Sequence, residues 1–196
     1  MNKINDTTTE MYDVIVIGGG PSGMMAAATA AANGARVLLL EKNDTLGKKL
    51  RITGGGRCNI TNNEPDIRKL LPKYKSAEPF LYSAFARFNV SDTLKFFKGL
   101  GVETKVENEG RVFPVTDSAE TVWQAMVGQL DRYNVKVITN VKVLDMLFDA
   151  ENKVINGVKA EVDSKNQIFY ASKCIFALGG ASRPETGSNG DGFTIL

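Results

Sequence analysis

Gly18, Gly20 and Gly23 form a G-x-G-x-x-G pattern, and Glu41 follows 23 positions after the first of them. Each part suits one task in holding a dinucleotide. The first glycine permits a tight turn, the second lets a diphosphate approach the backbone, and the third lets a helix pack closely on a strand. A carboxylate roughly 20 residues further on can accept a hydrogen bond from a ribose hydroxyl. Gly19 and Ser22 lie inside the same turn, and Pro21 suits a first helical position because its missing N–H needs no partner there. A second group, Gly54-Gly-Gly-Arg-Cys-Asn59, puts a cation, a thiol and an amide directly after three glycines. Such a run allows backbone to come close to a ligand, and equally describes a solvated loop with an incidental cysteine.

These residues need a frame to position them. Val14 to Ile17 is a β-branched run of the kind found in strands buried on both faces. Met24 to Asn33 continues as a helix of small residues, which Gly34 ends. Val37 to Leu40 gives a second buried strand, closed by Glu41. Strand, glycine turn, helix, strand and acid thus occur in the order a dinucleotide fold demands, with the diphosphate on the helix N-terminus. An acid at position 41 favours an unphosphorylated adenosine ribose, as in FAD or NAD, over NADP. The pattern does not separate FAD from NAD.

The totals narrow the classes. The chain has 196 residues, 43% hydrophobic and 23% charged, enough for one substantial core. It has no histidine, which excludes His-based triads and imidazole acid–base chemistry. Two cysteines, at 58 and 174, are too few for a disulfide scaffold or a structural zinc site. Net charge is +2 with no long block of one sign, so nucleic acid and anionic membrane are not expected partners, and a small-molecule substrate is. The polar stretch 1–10 lacks the apolar core of a signal peptide and is expected to be a flexible N-terminus, with the folded domain at 11–196 and a cytoplasmic location. No metal site is expected.

Further along, residues 63–101 suggest short helices, with Leu81, Phe85 and Phe88, then Leu94, Phe97 and Leu100, at helical spacing for core packing. Asn89 or Ser91 can cap the second of them. Residues 102–107 and 111–115 suggest a β pair, and Asp117 with Glu120 an approximate capping box for a helix to about Arg132, with Trp123 and Leu130 on its buried side. After a strand at 135–139, segments 141–148, 154–162 and 167–170 suggest an antiparallel meander, with turns at 151–153 and 163–166 and a bulge at Gly157. A separate buried strand, 174–178, ends in Gly179-Gly180, and residues 192–196 resemble a first helical turn. The fold class is α/β: a Rossmann-like parallel sheet with helices plus a three-stranded antiparallel meander.

Four blocks give the chain a family resemblance: Val16-Ile-Gly-Gly-Gly-Pro-Ser-Gly23, Lys48-Lys-Leu-Arg-Ile-Thr-Gly-Gly-Gly-Arg-Cys-Asn-Ile-Thr-Asn62, Gly110-Arg-Val-Phe-Pro-Val-Thr-Asp117, and the glycine-rich stretch Gly179 to Gly192. In that order they resemble the N-terminal part of the BaiN/YhiN-like bacterial flavoproteins, NAD(P)/FAD-dependent oxidoreductases. The resemblance implies FAD, with a nicotinamide, NAD(P)H, as electron donor. It implies that Gly18, Gly19, Gly20, Pro21, Ser22 and Gly23 contact the diphosphate and Glu41 the adenosine ribose. It further places Val143 against the adenine, Ala177 and Gly179 near the adenosine half, and Lys42 and Lys49 on the cofactor. Gly56, Arg57, Cys58 and Asn59 would line the ribityl or isoalloxazine side, the last three being the candidate catalytic residues. Arg57 would support negative charge, Asn59 would donate a hydrogen bond, and Cys58 is assigned packing or flavin contact rather than covalent catalysis.

Two positions depart from the family pattern: Leu178 stands where a threonine is usual, and Arg183 where an aromatic residue is usual. Family members also continue through an inserted second domain and a C-terminal segment, so the chain is expected to be an incomplete version of that fold. Two alternatives to a flavin oxidoreductase stay open: a non-catalytic nucleotide-binding fragment, and an NAD-dependent dehydrogenase. A flavin-dependent RNA-modifying enzyme is the weaker option, for want of a visible basic patch.

Overall fold

The apolar runs flanking the glycine pattern pair in parallel. The computed structural model describes residues 10–149, 151 and 154–195, so the N-terminal stretch up to residue 9 and most of the 151–153 turn lie outside the described residues. Strand β1 (Met11–Ile17) and strand β2 (Val37–Leu40) pair from Val14–Val37 to Ile17–Leu40, with helix α1 (Pro21–Ala32) between them. Ile15, Val16, Leu38 and Leu39 are wholly buried, as parallel strands covered on both faces require. β1 starts three residues before Val14, because Asp13 does not interrupt it: its carboxylate accepts from the Arg36 N–H at 2.7 Å. Asn33 caps α1, and Gly34 takes the left-handed conformation (φ +88°) that releases the chain into β2.

By contacts the chain forms two compact units. One joins the residues up to Lys49 with those from Met126 onward, and the other is Leu50–Ala125. Helix α2 (Lys48–Ile52) leads into the second unit, followed by a 3-10 turn at Thr53–Gly56 and the short strand β3 (Thr61–Asn62). Helix α3 (Ile67–Leu70), a 3-10 segment (Leu71–Ala77), α4 (Glu78–Arg87) and α5 (Val90–Gly99) come next. Asn89 caps α5 in a reciprocal box with Asp92, each side chain bonding the other's backbone N–H at 3.1 and 3.0 Å. Strands β4 (Thr104–Val106) and β5 (Arg111–Pro114) then join β3 in a three-stranded antiparallel sheet, order β3-β5-β4. Helix α6 (Ala119–Arg132) leads back to the first unit, burying Ala119, Val122, Met126 and Leu130.

Three expectations in this unit need correction. Thr61 and Asn62 are a strand because they pair with Val112 and Arg111, a partner that only the fold supplies. The aromatic spacing in α4 marks no buried stripe: none of its residues is buried, and Phe88 just beyond it is exposed. Asp117 does not cap α6. It has φ +53° and its carboxylate pairs with Arg57 and Lys105, while the Ser118 hydroxyl accepts from the Glu120 N–H. Trp123 is half-buried.

Back in the first unit, β6 (Lys136–Ile138) pairs with β2, and β7 (Val141–Phe148), β8 (Ile155–Val162) and β9 (Lys165–Phe176) form the meander. The six strands run in the order β6-β2-β1-β9-β8-β7. The last meander strand and the buried strand at 174–178 are one continuous β9, whose two edges serve β8 and β1. Ala171-Ser-Lys173 holds no glycine or proline to break it. A register shift lies where Gly157 faces Leu147; a Cβ on Gly157 would come within 2.4 Å of the Phe169 carbonyl oxygen. The short α7 (Gly192–Ile195) follows.

Candidate dinucleotide-binding site

The turn between β1 and α1 is built around backbone that leaves no room for side chains. Gly18 has φ +104°, and a Cβ there would lie 2.4 Å from the Ala177 carbonyl oxygen. A Cβ on Gly23 would lie 1.8 Å from the Gly18 carbonyl oxygen and 3.3 Å from the Ala177 methyl. Gly20 is different: its φ is −73°, and nothing lies within 4 Å of where its Cβ would be. Two glycines are therefore demanded by the protein's own packing. The third faces open space.

That space adjoins the start of α1, where Gly20 is the N-cap and no side chain caps the helix. Pro21 brings no N–H, and the Ser22 and Gly23 N–H groups belong to the first turn, which lacks intrahelical acceptors. An uncapped N-terminus of a 12-residue helix, reached over a bare glycine, is an anion site. On the β9 side of the turn an open cleft of about 280 Å³ is bordered by Ser22, Ala177, Gly179 and Phe193.

Glu41 sits at the end of β2, 6% exposed. Its Oε2 accepts from the Gly19 N–H at 2.6 Å, and its Oε1 accepts from the Asn43 N–H and side-chain amide at 2.8 and 2.7 Å. The acid is thus held on the glycine turn from below. The Val141 N–H donates to the Glu41 carbonyl oxygen at 2.9 Å, which brings the start of β7 beside it. Val143, with its side chain in the core, lies two residues along this outer strand, next to a register shift. Ala177 runs under the turn, its N–H donating to the Ile17 carbonyl oxygen at 2.8 Å.

Lys42 and Lys49 do not point into free solvent. Lys42 Nζ donates to Asn189 and Asp191 side-chain oxygens at 2.8 and 2.6 Å, and Lys49 Nζ to the Ser182 hydroxyl at 2.7 Å. The Asn43 amide also donates to the Thr186 carbonyl oxygen at 3.2 Å. These bonds strap the polar loop 182–191 across the end of β2. Sequence reasoning missed Asn43, Thr186 and Asp191, and the signal available was only the loop's polarity.

In the second unit the Gly56–Asn59 block turns inward. Arg57 stacks on the Phe113 ring at 4.0 Å, holds Glu107 with two bonds of 2.9 and 3.0 Å, and reaches Asp117 at 3.0 Å. The guanidinium holds the Glu107 carboxyl below its ordinary value, and Lys105 foremost, then Arg57, does the same for Asp117. Cys58 is 3% exposed, with φ +62°, and burial pushes its thiol up. Asn59, with its amide nitrogen turned toward them, donates to the Val112 and Thr61 carbonyl oxygens. Gly55 and Gly56 have positive φ and open surroundings.

Residues 12–196 match the family model described as the HI0933-like protein Rossmann domain. The chain is 35% identical over 162 residues to the 3-dehydro-bile acid delta(4,6)-reductase of Clostridium scindens, covering 82% of this chain and 37% of that protein. It is 31% identical over 189 residues to the ribosomal RNA dihydrouridine synthase of Escherichia coli, covering 95% and 44% respectively. The chain therefore spans less than half the length of these curated relatives. In fold it is similar to the 3-ketosteroid-delta4-(5alpha)-dehydrogenase of Rhodococcus jostii RHA1, with TM-score 0.71 and 17% identity over 89% of this chain and 47% of that one. The architecture is a Rossmann-like fold of the FAD-binding kind, with a parallel core and a separate three-stranded antiparallel sheet.

Proposed function

Since this chain belongs to the HI0933-like Rossmann-domain family, we propose that it binds FAD and serves a flavin-dependent oxidoreductase. The observation that carries this reading is the asymmetry of the glycine turn. Gly18 and Gly23 are filled by the protein itself, while Gly20 opens onto the uncapped end of α1. The residues fit the cofactor. Gly19, Gly20 and the Ser22 and Gly23 N–H groups cradle the diphosphate, Pro21 presets the first turn, and Glu41 accepts from the adenosine ribose. Val143 offers backbone to the adenine, and Ala177 and Gly179 border the adenosine half. Lys42 and Lys49 hold the loop that closes this end.

Bound FAD supplies a two-electron hydride relay from a reduced nicotinamide to an acceptor. The names of both curated relatives describe saturation of a carbon–carbon double bond. We take the acceptor to be such a bond, conjugated to a carbonyl so that hydride adds at the β carbon and a proton at the α carbon. The chain's part is orientation and charge. Arg57, Cys58 and Asn59 act by shaping the loop: their side chains are committed inward, which leaves the Gly55 and Gly56 backbone as the surface available to a ligand. This gives Cys58 a packing role.

The test is a visible spectrum of the purified chain before and after FAD addition, followed by anaerobic addition of NADH or NADPH. Flavin bands that shift on binding and bleach with a nicotinamide support the reading. Binding of NAD with no affinity for FAD would favour a dehydrogenase instead.

A further inference from the structure

Charge is unevenly spread along this chain. Residues 66–100 carry seven lysines and arginines against three carboxylates, a local +4, so the rest of the molecule is net negative. Arg68, Lys69, Lys73, Lys75, Arg87, Lys95 and Lys98 are all exposed, and among the described residues only Lys95 is paired, to Asp92 at 4.0 Å. The same segment holds exposed aromatic rings: Phe80 at 84%, Tyr74 at 47%, Phe88 at 42% and Tyr82 at 38%. Tyr82 donates to the Glu78 carboxylate and lies within electrostatic reach of Arg68, which places rings and cations on shared surface. The Tyr74 and Phe85 rings meet at 6.0 Å, joining the 3-10 segment to α4.

We propose that this face, formed by α3, the 3-10 segment 71–77, α4 and the start of α5, binds single-stranded RNA. Separated rings among cations suit bases that stack one at a time while lysines follow the phosphates. A membrane surface fits less well: α4 carries one cation, and Ser83, Ala84 and Ala86 separate its rings, so it has no continuous apolar face. The proposal goes beyond the flavin reading and stands separately from it, since FAD binding and RNA binding are measured on different residues.

The experiment is fluorescence anisotropy with the full chain and a labelled 20-nucleotide oligouridine, against a duplex RNA of equal length and phosphatidylserine–phosphatidylcholine vesicles. The expected result is tighter binding to the single strand than to the duplex. Lys69→Gln with Lys73→Gln should lower the slope of log affinity against log salt by about 1.4, at ~0.7 per phosphate contact. Phe80→Ala should weaken binding about fivefold or more at unchanged slope, since it removes a stacking partner and no charge. Circular dichroism melts confirm that the variants fold, and a FAD titration run in parallel reports on the other site. Equal affinity for duplex and single strand with Phe80→Ala unchanged would overturn the proposal. So would binding to the vesicles without binding to the RNA.

Discussion

Replacing Gly20 with alanine separates what the turn does for folding from what it does for a ligand. Gly20 has φ −73° and ψ −179°, a region open to alanine, and its Cβ would touch nothing within 4 Å. Alanine is a slightly poorer N-cap than glycine, by a few tenths of a kcal/mol or more. It also restricts the unfolded chain, which returns about 0.4–1 kcal/mol. The two nearly cancel, so the melting temperature should stay within about 2 °C, given ~2–4 °C per kcal/mol at this size. Binding is another matter. The methyl occupies the approach to the Ser22 and Gly23 N–H groups, and displacing a diphosphate from one or two charge-assisted bonds costs about 1.5–3 kcal/mol. That is about a 10- to 150-fold loss of FAD affinity. Gly18→Ala and Gly23→Ala are the contrast, since their Cβ atoms would lie 2.4 and 1.8 Å from carbonyl oxygens. They should unfold the first unit, at several kcal/mol each. The assays are thermal melting without cofactor and flavin fluorescence quenching on titration. A folded Gly20→Ala variant that takes up FAD as well as the parent would refute the assignment of this turn to the diphosphate.

Glu41→Gln should lower stability by about 1–3 kcal/mol, because an amide cannot accept from both Gly19 and Asn43 as the carboxylate does; urea titration of the ligand-free chain measures it, and FAD affinity should fall as well. Arg57→Met should destabilise at neutral pH. Glu107 and Asp117 titrate below their ordinary values of 4.5 and 3.8, so the stability they contribute is present above that range and fades as pH falls through it. Melts of parent and variant should accordingly converge below about pH 4. Ellman's reagent at pH 8 should label Cys58 about tenfold or more slowly in the folded chain than in guanidinium, because burial keeps the thiol protonated and covered. Rapid labelling in the fold would remove the packing role assigned to it.

The sequence showed the dinucleotide half of the fold because local chemistry determines it. A glycine turn, a helix without a cap and an acid after a buried strand keep their meaning in isolation, and each lies where it was expected. What stayed hidden depends on distant partners. Arg57 looked like a cation free for flavin until Glu107 and Asp117, 50 and 60 residues away, were seen to hold it. β3 has two residues and no periodicity, and exists through β5. The α4 aromatics have perfectly good helical spacing, but spacing identifies a stripe and does not say whether anything covers it. The whole-chain charge of +2 likewise averaged away the basic segment.

The twelve residues of β9 complete the centre of the sheet, because β1 has β2 on one side and β9 on the other. During synthesis β1 leaves the ribosome almost 150 residues ahead of that neighbour. At ~5–20 residues per second the interval is about 10–30 s, in which the most apolar strand of the nascent chain has an open edge. A ribosome pause before residue 165, or cleavage in the 163–164 hairpin, would leave that edge available to other chains. Aggregation of this protein in cells should then follow the supply of β9 more closely than the supply of cofactor.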